Sequence, residues 1–193
     1  MFSRIVNGGI VYDANGAFDP LLSGTAIDCF SYTIDDGHGL TDTATVAVTI
    51  HGHGAGTAGD DTLTGTDFAD SIVGGDGNDQ PFGGDANDVI GGGNDDDTLN
   101  GGLGADVLTG DGGIDVFVFN PGETENSGNT GIYDVITDFQ DGIDLIDFSA
   151  FGFTSTADFV ITQPGDTVIS IDGGNDQVHL TGVPTLTDDD FIF

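Results

Sequence analysis

Seven aspartates recur every nine residues in this chain, at Asp61, Asp70, Asp79, Asp88, Asp97, Asp106 and Asp115. Carboxylates at a fixed interval either ligate a hard cation or decorate polar turns, and the phase of the sequence around them separates the two. From Gly56 to Val118 the chain reads as seven nonapeptides, GTAGDDTLT, GTDFADSIV, GGDGNDQPF, GGDANDVIG, GGNDDDTLN, GGLGADVLT and GDGGIDVFV. Each opens on glycine and has aspartate sixth. The eighth residue is apolar (Leu63, Ile72, Ile90, Leu99, Leu108, Phe117) except at Pro81. Three columns held in register over seven units mark a repeat architecture, which mere turn decoration would not maintain.

These aspartates need elements to position them. The first six residues of each unit are expected to form a glycine-rich turn and the last three a short strand with the eighth side chain inward. Two units then make one coil, and successive coils stack parallel strands about 4.8 Å apart. One apolar residue per strand, at about 25 cal/mol per Å² buried, does not offset the entropy of ordering nine residues. Something else must hold the coils together. Units two apart share an edge, so Asp61, Asp79, Asp97 and Asp115 line one edge and Asp70, Asp88 and Asp106 the other. The space between facing turns is predicted to hold two carboxylates and several turn carbonyls, an all-oxygen environment that suits Ca²⁺ better than Mg²⁺ or Zn²⁺. Adjacent pairs give three such sites on one edge and two on the other, five in all. Zinc is further disfavoured because the repeats contain neither Cys nor His.

Composition agrees. Against 34 Asp and Glu stands a single basic residue, Arg4, for a net charge of −33, so nucleic acid and anionic membranes are excluded as partners. All the acids but Glu123 and Glu125 are Asp, the carboxylate that favours turns, and 34 glycines point the same way. Little helix is expected. No apolar run is long enough to span a bilayer, so no membrane insertion is expected. HExxH, GxSxG and a phosphate-binding glycine loop followed by Lys are all missing, so the chain is not expected to be an enzyme. The lone Cys29 reads as a small apolar residue.

The units resemble the G-G-x-G-x-D-x-U-x nonapeptide of the RTX, or haemolysin-type calcium-binding, family. The resemblance implies an all-β protein built on a Ca²⁺-stabilised parallel β-roll, with the sixth-position aspartates as ligands together with turn backbone at Gly74, Asn78, Gly83, Asn87, Gly92 and Gly101. Third-position Asp67, Asp76, Asp85 and Asn94 are implied as accessory ligands. Departures from the pattern carry their own expectations. Pro81 lacks an N–H and should weaken its strand. Phe68, Ala86 and Asp95 replace the fourth-position glycine, and Phe would be strained in a left-handed turn. The first coil is therefore expected to be imperfect, and with Thr57, Thr66 and Asp111 at second position in the outer units, the central loops GGDGND, GGDAND and GGNDDD are expected to be the best sites.

Beyond the repeats, residues 119–193 are expected to close the open end of the solenoid as a β cap. DVFVF, YDVITDF and DLIDFSAFGF read as longer strands, DTVISI and DQVHLTGV as a further pair, and TDDDF as an acidic helical turn capped by Thr187. This segment is similar to the C-terminal region of serralysin-like RTX proteins, which implies an uncleaved signal for a type I secretion apparatus and an extracellular destination. Residues 1–50 resemble part of a VCBS or cadherin-like β-sandwich module, joined by a Gly/His linker at 51–55 that reads as a spacer. Asp35, Asp36 and Asp42 there read as turn residues. The chain is therefore expected to be the tail of a longer one with no cleavable signal at its start. Its expected role is a calcium-switched folding and secretion module. The alternatives are an adhesin stalk or tip with an unspecified ligand, and the non-catalytic delivery module of a secreted hydrolase.

Overall fold

The structure is a computed structural model that describes residues 2–6, 9–13, 25–35, 38–51, 54–123, 133–162, 166–171, 176–182 and 185–193. It is almost wholly β, with three short 3₁₀ turns as its only helical elements among those residues. Two antiparallel hairpins come first, β1 (Phe2–Val6) with β2 (Gly9–Asp13) and β3 (Thr25–Asp35) with β4 (Thr41–His51). Runs such as TATVAV are rich in β-branched residues, which favour strands. The Cys29 side chain, Asp36, Gly52 and His53 lie outside the described residues. Asp42, read as a turn residue, lies instead within β4 opposite Ile34 and accepts the amide of its neighbour Thr43.

The end of the segment read as a spacer and the repeats form the next eight strands, the first of which, ahead of the first unit, pairs with the coil above it. They are β5 (Gly54–Ala55), β6 (Thr62–Thr64), β7 (Ser71–Asp76), β8 (Gln80–Gly84), β9 (Val89–Asn94), β10 (Thr98–Gly102), β11 (Val107–Gly112) and β12 (Val116–Val118). Most run past the ninth residue into the next unit's glycines, so strand and turn overlap more than the nonapeptide suggests. Odd and even strands fall into separate parallel sheets that face each other, β5-β7-β9-β11 and β6-β8-β10-β12. Their inward residues are the eighth-position column, with Ile72, Ile90 and Leu108 on one side and Leu63, Leu99 and Phe117 on the other, all but fully buried.

Pro81 keeps its inward place in β8. Its effect is on pairing. Thr98 still donates to the Asp79 carbonyl at 2.9 Å, but the β8–β10 ladder registers only at Asn100↔Phe82 and Gly102↔Gly84. The equivalent β10–β12 ladder pairs Thr98↔Val116 and Leu99↔Phe117. The lost step is the one to which residue 81 would contribute an amide. Pro81→Val restores that donor and should stabilise the roll by about 1 kcal/mol, read as a raised urea midpoint. An unchanged midpoint would mean that the neighbouring ladder bonds already compensate.

The strands after the repeats are not longer than those within them. β13 (Asp134–Ile136) and β14 (Leu145–Asp147) have three residues each and pair parallel with β11 and β12. The reason is geometric: they continue the roll as further coils, so each spans one face only. Ile136 and Ile146 extend the two inward columns. Closure comes later. β15 (Val160–Thr162), β16 (Thr167–Ile171) and β17 (Asp176–Leu180) form an antiparallel meander, with β17 laid parallel on β13. β18 (Phe191–Ile192) lies on β14. A phenylalanine cluster centred on Phe148 fills this end, with the rings of Phe159 and Phe191 centred 5.3 and 5.8 Å away. Asp188–Asp190 make a 3₁₀ turn whose capping box joins Thr187 and Asp190.

Candidate metal centre

The sixth-position aspartates form two stacked ladders, one along each edge of the roll. Asp79 Oδ1 accepts the amide of Asp61 at 2.8 Å and Asp97 Oδ1 the amide of Asp79 at 2.7 Å. Asp115 Oδ1 takes that of Asp97 at 3.0 Å. On the other edge Asp88 accepts from Asp70 and Asp106 from Asp88, both at 2.8 Å. The facing carboxylates therefore do not simply oppose each other as the spacing predicts. One oxygen of each ties its own coil to the preceding one.

The second oxygen is the informative one. Oδ2 of Asp79, Asp88, Asp97, Asp106 and Asp115 is buried and has no hydrogen-bond partner. Five buried carboxylate oxygens without a donor are a steep cost in a native fold, at roughly 1–3 kcal/mol each and more for a charge. Each lies against the first glycine of its own unit. A Cβ on Gly74 would meet both Asp79 Oδ2 and the Gly92 carbonyl, and one on Gly83 would meet Asp88 Oδ2 and the Gly101 carbonyl. The turn thus leaves room, by the lack of a side chain, where a carboxylate oxygen and a carbonyl oxygen converge. Gly74, Gly83, Gly92 and Gly101 are among the backbone positions singled out from sequence, and the carbonyls of Gly74 and Gly83 stand in the same relation to Gly56 and Gly65.

Burial pushes these carboxyls up. It is the largest cause at Asp88, raised to about 7, and at Asp97, Asp106 and Asp115, each raised to about 6. The ladder bond from the preceding amide opposes it, and nearby carboxylates add to it. Asp79 moves in the same direction. A divalent cation among these oxygens would reverse that balance by favouring the ionised form. Among the described residues no three Asp, Glu, His or Cys side chains converge on one point. A cation here would therefore draw much of its shell from turn carbonyls, a donor set of hard oxygens that fits Ca²⁺.

The other sequence candidates sit differently. Asp67, Asp76, Asp85 and Asn94 project from the exposed side of the turns, and Asp76 Oδ1 is taken by Asn94 Nδ2 at 2.8 Å. The Asn78 and Asn87 side chains accept the amides of Asp96 and Ala105 in the next coil, at 3.3 and 3.1 Å. Asp60 and Asp96 do likewise for Asn78 and Ile114, so the fifth position is a second rung of the stack.

Sequence reasoning missed two aspartates that continue the ladders. Asp134 Oδ1 accepts the amide of Asp106 at 2.9 Å, and Asp144 Oδ1 that of Asp115 at 3.1 Å. Both are buried, and burial raises Asp134 to about 8. A signal was present: Asp134-Val135-Ile136 repeats Asp88-Val89-Ile90 residue for residue.

Turn conformation sorts the units. Second- and fourth-position residues have positive φ in the last five units, from Gly75 (φ 121°) and Gly77 (φ 104°) to Asp111 (φ 65°) and Gly113 (φ 149°). Ala86 and Asp95 comply at 74° and 73°. Thr57, Thr66 and Phe68 do not adopt it, so the first coil departs from the others, as its sequence suggests.

Residues 55–90 and 82–117 match the model of the RTX calcium-binding nonapeptide repeat, described as four copies. Residues 3–49 match that of a bacterial Ig domain, where the sequence resembles a VCBS or cadherin-like module. No curated protein matches the chain. Among solved structures, the chain is similar to the AlgE6R3 subunit of the Azotobacter vinelandii mannuronan C5-epimerase. Identity is 29% over 72% of this chain and 80% of that one, with a TM-score of 0.40. The AlgE6R2 subunit of the same enzyme matches at 28% identity over 72% of this chain and 91% of that one, with a TM-score of 0.34.

Proposed function

We propose that this chain, whose residues 55–117 are an array of RTX calcium-binding nonapeptide repeats, is a calcium-switched folding module of a larger secreted or surface protein. The observation that carries the reading is the set of five buried Oδ2 atoms without a donor. Each lies at a turn that a cation would complete, which supports about five Ca²⁺ ions. Asp79, Asp88, Asp97, Asp106 and Asp115 would each give a direct carboxylate oxygen. Asp61 and Asp70 would brace the first sites through their amides, and glycine carbonyls would supply much of the rest.

The switch follows from charge. Fourteen aspartates lie between residues 56 and 118, and stacked carboxylates about 5 Å apart cost on the order of 1 kcal/mol per pair even in water. Calcium binds only the folded arrangement and so stabilises it by mass action. Where calcium is scarce the roll stays open; at the 10⁻⁴ to 10⁻³ M or so at which extracellular calcium modules commonly bind, it closes. Such a module suits export as an open chain through a type I apparatus, with residues 119–193 as cap and signal and 56–118 as the roll. No helix among the described residues is long and apolar enough to cross a membrane. The Ig match at residues 3–49 favours a second, compatible reading, in which residues 1–50 belong to a stalk or adhesin joined to the roll at 51–55. In either case this part of the protein would be non-catalytic.

Far-UV circular dichroism during a Ca²⁺ titration, with Mg²⁺ as control, tests the proposal. A cooperative gain of β signal with Ca²⁺ alone is the expected result. A chain already folded in chelator at neutral pH and indifferent to calcium would remove its basis.

A further inference from the structure

The five open carboxylate oxygens are the interior members of the two ladders, and three outer members, Asp61, Asp70 and Asp144, are closed by the protein's own donors. Asp61 Oδ2 accepts the Thr57 amide at 2.6 Å and the Thr57 hydroxyl at 2.8 Å. Asp70 Oδ2 accepts the same pair from Thr66 at the same distances. At the far end Asp144 Oδ2 accepts the Gln140 amide at 2.8 Å. The units with an open Oδ2 have in common a second-position residue at positive φ. In those units no second-position amide reaches the carboxylate, and glycine or Asp111 brings no hydroxyl to replace it. Thr57 and Thr66 keep ordinary φ, so amide and hydroxyl both fold back onto the carboxylate four residues on.

We infer that Thr57 and Thr66 take the place of a cation in the first two turns and thereby confine cation binding to the five interior ones. This rests on the calcium reading above. Two short donors satisfy what an ion would otherwise have to satisfy. The second position is thus an occupancy-determining residue: glycine there leaves the carboxylate to a metal, threonine withdraws it. The consequence is a first coil that closes without calcium and offers the next coil a formed surface on which to order.

Thr57 is the position to test, because its unit keeps a fourth-position glycine, Gly59, whereas the second unit has Phe68 there. Thr57→Gly converts GTAGDD to GGAGDD and frees Asp61 Oδ2 beside the Gly74 carbonyl. Calorimetric Ca²⁺ counts on the whole chain should give about five ions for the wild type and for Thr57→Ser, and one more for Thr57→Gly. Asp61→Asn should leave the count unchanged, while Asp79→Asn removes one ion. An unchanged count in a Thr57→Gly chain that folds with calcium, or the loss of an ion in Asp61→Asn, would overturn the inference. If Thr57→Gly does not fold, the contrast between Asp61→Asn and Asp79→Asn decides. A wild type that binds no calcium would instead strike down the underlying reading, and the outcomes are therefore distinct.

Discussion

Replacing Asp79 or Asp88 by Ala should raise the calcium concentration needed for folding by about tenfold or more, whereas Asp60→Ala should change it by no more than about threefold. Each of the first two removes a carboxylate with two tasks. Its Oδ1 pairs an amide of the coil before, the part-buried one of Asp61 or the buried one of Asp70. Its Oδ2 is one of the open oxygens. Losing the first task leaves an amide short of its acceptor, at about 1–3 kcal/mol. Losing the second takes a ligand from a cation, and a factor of ten per 1.4 kcal/mol turns even the lower end of that sum into the stated shift. Asp60 also accepts an amide, that of Asn78, at 3.0 Å. That bond lies on the exposed side of the turn, where water replaces it, and surface changes of this kind fall within about 0.5 kcal/mol. Circular-dichroism titrations of the three variants against the wild type provide the comparison. Equal shifts for Asp60→Ala and Asp79→Ala would show that general acidity, not the sixth position, sets calcium dependence.

The register of the roll was legible because its sequence period and its geometric period coincide. A nine-residue interval maps each sixth residue onto the same edge of alternate coils, so Asp61 to Asp115 and Leu63 to Phe117 could be assigned to ladder and core from spacing alone. The same logic failed where the interval broke. Between Asp106 and Asp134 the chain takes 28 residues instead of 18, and between Asp115 and Asp144 it takes 29. The two continuing aspartates fell out of phase although they remained in line in space. What one carboxylate oxygen meets was not legible at all, because it depends on φ at the residue four places earlier. Thr57 reads in sequence as a weak substitute for glycine, and only its conformation reveals two donors aimed at Asp61. The cap reads as ordinary strands for a related reason. A coil of three-residue strands has no signature once the glycine column has ended, and the parallel pairing of Leu145 with Val116 is set by stacking on the coil beneath.

Protonation should substitute for calcium. In the metal-free chain the buried ladder carboxyls are raised in the folded state, Asp97, Asp106 and Asp115 to about 6, Asp88 to about 7 and the terminal Asp134 to about 8. Burial is the first cause in every case, and the unfolded chain returns them to the ordinary 3.8. A folded value above the unfolded one means that the native roll binds more protons over the interval between them, so stability falls as pH rises across it. The contribution is complete below about pH 4 and is lost as pH climbs through 6 to 8. Calcium acts in the opposite sense, since its ligands must be ionised and its affinity grows with pH. In calcium-free buffer the β signal should be largest near pH 4 and fade with a midpoint between about pH 6 and 8. At pH 7.5 the same signal should require Ca²⁺. Asp88→Asn, which carries a permanently neutral amide at one interior rung, should move the calcium-free midpoint upward while weakening the response to calcium. A calcium-free chain equally unfolded at pH 4 and pH 8 would mean that neutralising the ladder is not enough to close the roll. The ion's contribution would then lie in joining oxygens of neighbouring turns, which a proton on a single carboxyl cannot do.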